Sequence, residues 1–167
     1  MHSLQALIAF FEDGGLADRI RENEYLFPLI ESVHVLAVCL VVGSILAVDL
    51  RLLGAAYTRQ PVSRVTKGIL PLTWCAFCVA IASGSLLFIS NATKYLANGY
   101  FDTKILLIGA AGLNMAVFHL IGAKDLPRWE SAAVPPLASR LAGGLSIMLW
   151  IAVIVCGRWI GFTMELL

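Results

Sequence analysis

The sequence predicts an all-α membrane protein, a four-transmembrane-helix bundle preceded by an N-terminal amphipathic segment. Hydrophobic residues make up 59% of the 167 residues and only 14% are charged, whereas roughly a quarter of the residues in a soluble domain are charged. The mean hydropathy is +0.84. The apolar residues are gathered in four long runs, and a run of about 20 apolar residues can cross a bilayer as a helix.

The four spans form one transmembrane domain, residues 26–167, since a chain of this length leaves no room for a second domain. The spans cover about 26–50, 69–90, 105–123 and 141–164. Pro71 suits the first turn of the second span, where its missing N–H removes no helical hydrogen bond. We expect Asp102 or Thr103 to cap the third span and Ser139 to cap the fourth.

Residues 1–25 are predicted to form the interfacial amphipathic segment. Leu4, Leu7, Ile8 and Phe11 follow the spacing of one apolar helix face. Two glycines at 14–15 end this pattern, and residues 16–21 are expected to add a second helical turn. The segment is too short and too charged to cross a bilayer, so we expect it to lie along the interface or to cap the bundle.

The distribution of basic residues predicts the orientation. The loops after the first and third spans hold seven Lys and Arg residues, whereas the other side holds four, or five with Arg158. Basic residues concentrate on the cytoplasmic side. The chain is therefore predicted to be an integral protein of the bacterial inner membrane with both termini in the periplasm.

Several function classes are excluded by the sequence. The net charge of +1 gives no reason to expect a nucleic-acid partner. The sequence holds no G-x-S-x-G, H-E-x-x-H or phosphate-loop motif, so nothing indicates hydrolytic or nucleotide chemistry. The spans are too apolar to line an aqueous pore.

Ionisable residues lie on one face of the first span. Glu31 and Asp49 share a meridian of the helix, and His34 lies about one sixth of a turn away. Such side chains need partners inside a membrane, so this face is expected to point into protein. Arg158 of the fourth span lies at the depth of Glu31, which is its nearest candidate carboxylate.

Two hypotheses explain this group of residues. In the first, a porphyrin is bound, His34 is its axial ligand, and Arg158 or Lys104 pairs with a propionate. In the second, Glu31, His34 and Arg158 form a structural polar network that holds the helices together.

His119 of the third span predicts a second site. Met115 lies one turn before it and offers a soft sulfur ligand. Counted at 1.5 Å per residue, His119 lies roughly 12 Å deeper than His34, so the two are not expected to ligate one iron within one subunit. A structural role, with His119 bonded to a neighbouring carbonyl, is the alternative.

The four cysteines all fall inside apolar runs, which argues against a disulfide framework. Cys75 and Cys78 form a C-x-x-C motif, but in an apolar helix cysteine usually packs as a small hydrophobic residue. A copper relay through Cys39, Cys75, Cys78 and methionines is the less favoured hypothesis.

Two stretches carry a resemblance to a known family. The run Leu29–Gly54 contains ESVHVL and GSILAVDLRLLG, and it is followed by Phe101–Lys104 and by LW and GR within Leu149–Arg158. Together they resemble an uncharacterised family of bacterial four-helix membrane proteins. More loosely, histidines near both membrane faces resemble membrane b-type cytochromes, including the superoxide oxidase group, and the copper-resistance D membrane domains.

The resemblance to cytochromes implies heme b and electron transfer, with one departure from the pattern. Diheme cytochromes of this kind use four histidines as two facing pairs, whereas only His34 and His119 lie in spans here. Two bis-histidine hemes within one subunit are therefore excluded. A second ligand would have to be a methionine, another side chain or a residue of a neighbouring subunit.

The sequence thus favours a b-type cytochrome that moves electrons within or across the bilayer as a homo-oligomer, and so a heme-dependent membrane oxidoreductase. His34 and His119 are the expected axial ligands. Arg158, Lys104 and Arg51 are expected to balance charge, and Glu31 to orient His34 or to pair with Arg158. The alternatives are a copper-handling or small-solute transport protein that uses His119 and Met115, and a non-catalytic accessory subunit.

Overall fold

A computed structural model describes residues 14–122 and 124–164 as helices joined by short turns. Seven α-helices follow one another in this part of the chain. They are α1 Gly15–Glu22, α2 Leu26–Leu53, α3 Val62–Ser90, α4 Ala92–Leu96, α5 Gly99–Val117, α6 Leu126–Trp129 and α7 Leu137–Met164. The expected amphipathic pattern of Leu4, Leu7, Ile8 and Phe11 lies outside the described residues.

Four of these helices are long and apolar enough to cross a membrane, which confirms the predicted fold class. They are Leu26–Leu53, Val62–Ser90, Gly99–Ile121 and Leu137–Met164, of 28, 29, 23 and 28 residues. At 1.5 Å per residue they are about 35–44 Å long, more than the roughly 30 Å of a hydrocarbon core. Each helix is therefore long enough to reach into the interfacial layers.

This extra length moves three helix starts ahead of the predicted ones. The second span begins at Val62 instead of 69, so Pro71 lies inside the helix and not in its first turn. Asn98, not Asp102 or Thr103, caps α5, and its side chain accepts a 3.0 Å hydrogen bond from the Tyr100 N–H. The fourth span begins at Leu137, so the predicted cap, Ser139, is a buried residue of the first turn.

The four long helices pack in the spatial order α3–α2–α7–α5. In the described part of the chain, α3 and α5 make no extended contact with each other. They meet through the stacked rings of Phe88 and Phe101, whose centroids are 5.5 Å apart. We call the end of the bundle where α2 begins and α7 ends the terminal end, and the other end the loop end.

Close packing at the loop end depends on two glycines. Gly54 ends α2 in the left-handed region, with a φ of 75°, and a Cβ there would lie 3.1 Å from the Ala133 carbonyl oxygen. Gly143 of α7 lies against α2, where a Cβ would approach the Asp49 carbonyl oxygen to 3.0 Å. Small residues of this kind let membrane helices approach closely.

At the terminal end, α1 lies against α3 and α2. Ala17 and Ile20 are its buried residues, so one apolar face of this short helix is covered. The predicted helical turn over residues 16–21 is thus confirmed as part of Gly15–Glu22. It caps the terminal end of α3, as one of the two expected placements required.

Candidate functional site

His34 is held in place by the neighbouring helix α3. Its Nδ1 lies 3.0 Å from the Ala80 carbonyl oxygen and 3.1 Å from the Ser83 hydroxyl. Ser83 is buried and also donates to the Val79 carbonyl oxygen of its own helix. Because a carbonyl oxygen can only accept, the bond to Ala80 is satisfied when Nδ1 carries the ring proton. The lone pair then belongs to Nε2.

The imidazole ring lies against a residue without a side chain. A Cβ built on Gly84 would be 3.0 Å from His34 Cε1 and 3.3 Å from Nδ1. These distances are shorter than ordinary van der Waals contact. Gly84 therefore leaves the space that the ring occupies, and the pair Ala80 and Gly84 provides both a hydrogen-bond acceptor and a flat surface.

Lys104 belongs to the same level of the bundle. It lies in the second turn of α5 and is half-buried, and its positive charge acts on the His34 ring. Its Nζ is 3.6 Å from the position of a Cβ on Gly157 of α7, next to Cys156. Four helices thus contribute to one site, which we define as His34, Ser83, Gly84, Lys104 and Gly157 and call the His34 site.

Lys104 has no carboxylate partner in the described chain. The ion pairs of residues 14–122 and 124–164 are Asp18 with Arg21 and Asp125 with Arg128. A half-buried ammonium group in a membrane helix is costly unless an anion or polar group compensates it. The His34 site therefore combines one imidazole with one cation that has no carboxylate partner among the described residues.

Aromatic rings cover the terminal side of this site. Phe88, Tyr95 and Phe101 form a cluster with ring centroids 5.4–6.1 Å apart. Tyr95 lies in the short helix α4, outside the spans, and burial raises the pKa of its phenol. The negative charge of Glu31 raises that pKa further, which places Glu31 near the cluster.

Glu31 and Arg158 both lie at the terminal end, but they do not pair as expected. Both are exposed, and no ion pair joins them among the residues that the structure describes. The Arg158 guanidinium instead lies 4.5 Å from the ring centroid of Phe162, one turn further along α7. This cation–π contact gives the arginine an aromatic partner at the interface.

His119 lies far from the His34 site. Counted from the helix starts at the terminal end, His34 is about 12 Å and His119 about 30 Å along its helix at 1.5 Å per residue. His119 is exposed in a π-helical turn, Phe118–Gly122, that continues α5. Its Nδ1 lies 2.9 Å from the Met115 carbonyl oxygen, one turn earlier. Its role as a ligand, with or without the exposed Met115, stays a prediction.

Arg51 lies at the loop end and binds loop carbonyl groups. It is 0% exposed. Its Nε donates to Gln60 O at 2.7 Å, and Nη2 donates to Glu130 O and Ala132 O at 2.8 and 3.1 Å. These bonds tie both loops of this end to α2. Arg51 is thus about two-thirds of the helix away from the His34 site.

The cysteines do not gather. Cys39, Cys75 and Cys78 are exposed on the surface of the spans, and Cys156 is half-buried. Among the described residues, no three His, Cys, Asp or Glu side chains come together as a metal site. The copper hypothesis therefore gains no support from the arrangement of the side chains.

Two members of the His34 site, His34 and Lys104, are predicted from the sequence as cofactor-binding residues. Ser83, Gly84 and Gly157 are not among the residues predicted from the sequence. The signal that could have found Ser83 and Gly84 is their spacing. With Ala80, they place small and hydroxyl residues on one face of α3, facing the histidine of the preceding span.

Comparison with known proteins gives a family but no function. The model of a family of unknown function (DUF6644) matches residues 25–163. No curated protein matches the chain. No solved structure matches it either.

Proposed function

The chain belongs to the DUF6644 family of unknown function, and from its site we propose that it is a membrane-embedded b-type cytochrome in which His34 is an axial ligand of one heme. Heme b supplies one-electron oxidation and reduction when it is bound. The protein would then receive an electron from one redox partner and pass it to another within the bilayer.

The observation that carries the proposal is the orientation of His34. Histidines that ligate metals almost always donate their other ring N–H to a carbonyl or carboxylate, which fixes the tautomer and the ring direction. His34 has such a partner in Ala80 O at 3.0 Å. The absence of a side chain at Gly84 leaves the space in which the ring lies. Nε2 is thus the nitrogen with a lone pair for iron.

Lys104 supports the same proposal through its charge. A heme carries two propionates, and a charge-assisted hydrogen bond from an ammonium group to a carboxylate is one of the stronger polar contacts in proteins. Lys104 lies at the level of His34. We expect it to bind a propionate and so to hold the porphyrin in a fixed direction.

Among the described residues, no second histidine lies at the level of His34 to help hold the heme. His2 lies outside the described residues, and His119 lies at the other end of its helix. A ligand from a second copy would complete the coordination, which fits the expected homo-oligomer. His34 is half-buried and lies near Lys104, whereas His119 is exposed. We therefore propose heme at the His34 site and use His119 for comparison.

Single substitutions of the two histidines test the proposal. We expect purified wild-type protein to show a Soret band and an α band that appears on reduction with dithionite. His34→Ala should lose both bands, whereas His119→Ala should keep them, because His34 is half-buried at the level of Lys104, whereas His119 is exposed although its Nδ1 also bonds a carbonyl oxygen. Full heme absorbance in His34→Ala would contradict the proposal. Loss of heme in both variants would restore His119 as a ligand.

Elemental analysis of the same preparation separates the alternatives. Iron in a fixed ratio to protein supports the cytochrome. Copper without Soret absorbance would support a copper-handling protein. A colourless and metal-free preparation would support an accessory subunit in which His34 serves only to bond α2 to α3.

A further inference from the structure

The carboxyl group of Asp49 is buried between helices at the loop end. Asp49 is 5% exposed, and its Oδ2 has no hydrogen-bond partner. Ser146 of α7, one turn after Gly143, hydrogen-bonds the Asp49 carboxyl group through its side chain. Gly143 brings the backbones of α2 and α7 together at this point, with its Cβ position only 3.0 Å from Asp49 O. The packing therefore leaves little room for water.

Charged groups on the helices around Asp49 do not compensate it. On α2, Arg51 lies two residues further, on the opposite face. Its Nε and Nη2 donate to loop carbonyls, and its Nη1 is buried without a hydrogen-bond partner, so it makes no bond to Asp49. On α3 and α7, the charged residues of this end are Arg64, Lys67 and Arg140, and all three are exposed. The ion pairs of the described residues do not include Asp49, and α1 lies at the other end.

An ionised carboxylate in this position would be very unfavourable. Burial of an isolated charge away from water costs many kcal/mol, and a lone carboxyl usually becomes neutral instead. A bound metal cation is the other way to neutralise it. Ca²⁺ requires six to eight oxygen ligands and Mg²⁺ six, however. No group of three or more His, Cys, Asp and Glu that could hold a metal ion occurs in 14–122 and 124–164.

We propose that Asp49 is a proton-binding site inside the bundle, with Ser146 as its hydrogen-bonding partner. The carboxylate takes a proton from hydronium at the loop end, which leaves one water molecule and one neutral carboxylic acid. Protonation of Oδ2, the buried oxygen without a hydrogen-bond partner, removes the negative charge that burial disfavours. The proposal does not depend on heme, because Asp49 lies about 22 Å along α2 from His34 at 1.5 Å per residue.

Infrared spectroscopy of the purified protein in lipid tests the proposal. We expect the C=O stretching band of a protonated carboxylic acid at neutral pH, with a shift in heavy water. Asp49→Asn should remove the band, because the amide has nearly the same shape but cannot be protonated in this range. The control Asp102→Asn changes an exposed carboxylate of α5 and should keep the band.

A second measurement covers the case in which Asp49→Asn does not fold. Wild-type protein with aspartate isotopically labelled at the side-chain carboxyl should show the band at lower frequency. In Ser146→Ala the band should remain and move to higher frequency, because the carbonyl loses a hydrogen bond. The proposal is overturned if neutral wild-type protein shows only ionised carboxylate bands, or if the acid band does not move on labelling.

Discussion

Gly84→Ala is the substitution that tests the geometry around His34 most sharply. The new Cβ would lie 3.0 Å from Cε1 and 3.3 Å from Nδ1 of the His34 ring. Ordinary contacts are 3.4–4 Å, so the ring must move by a few tenths of an ångström. That movement lengthens the 3.0 Å bond from Nδ1 to Ala80 O. A lost hydrogen bond costs about 1 kcal/mol, and overpacking costs about 1–3 kcal/mol.

Gly109→Ala is the matched control, because nothing lies within 4 Å of a Cβ at Gly109. Both variants gain the same helix propensity of about 1 kcal/mol from Gly to Ala. The difference between them therefore isolates the contact with His34. We expect Gly84→Ala to be less stable than Gly109→Ala by roughly 1–3 kcal/mol, which is about 2–12 °C in the midpoint of thermal unfolding for a chain of this size.

Thermal unfolding in one detergent, followed by circular dichroism, measures the difference. Heme occupancy should fall in the same order, because the His34 ring no longer points Nε2 in its original direction. Equal midpoints for Gly84→Ala and Gly109→Ala would refute the reasoning, since the ring would then not depend on the missing side chain.

Three further outcomes are expected. Gly143→Ala should destabilise the protein more than Gly144→Ala. A Cβ at Gly143 would lie 3.0 Å from the backbone oxygen of Asp49, whereas the nearest atom to a Cβ at Gly144 is a leucine methyl at 3.8 Å. The midpoints of thermal unfolding of the two variants measure this difference. Arg51→Lys removes the guanidinium group that donates to three loop carbonyls, and should lower the free energy of unfolding by on the order of 3 kcal/mol. Limited proteolysis of the two loops should become faster, and unchanged rates would contradict this prediction. Burial raises the pKa of the Tyr95 phenol. Its contribution to the free energy of unfolding is therefore complete below the ordinary pKa of about 10 and is lost as the pH rises through the folded-state pKa. Tyr95→Phe should remove one late step from the ultraviolet phenolate titration.

The spans could be predicted from the sequence because hydropathy reports directly on the hydrocarbon layer. Helix ends could not, since backbone hydrogen bonding continues where the side chains turn polar. Arg64 and Lys67 suggested a loop, yet they lie in the first turns of α3. The prediction of Pro71 as a first-turn residue is wrong for the same reason, since a proline is tolerated inside a membrane helix when its neighbours compensate.

The spatial order of the helices could not be predicted from the sequence. In a membrane, faces that contact lipid and faces that contact protein are both apolar, so periodicity does not reveal the partner. The site shows the consequence. His34 stood out as a polar residue in an apolar run, but its pairing with Ser83 and Gly84 required the packing of α2 on α3. Similarly, the expected pair of Glu31 and Arg158 was argued from depth alone, and the two side chains are both exposed.

The heme content of the purified wild-type protein is the most direct test of the central claim. The account predicts a pyridine hemochrome of b type and one heme for each copy of the chain. Protein that is folded and helical, expressed with an adequate supply of heme, and yet free of iron would contradict it.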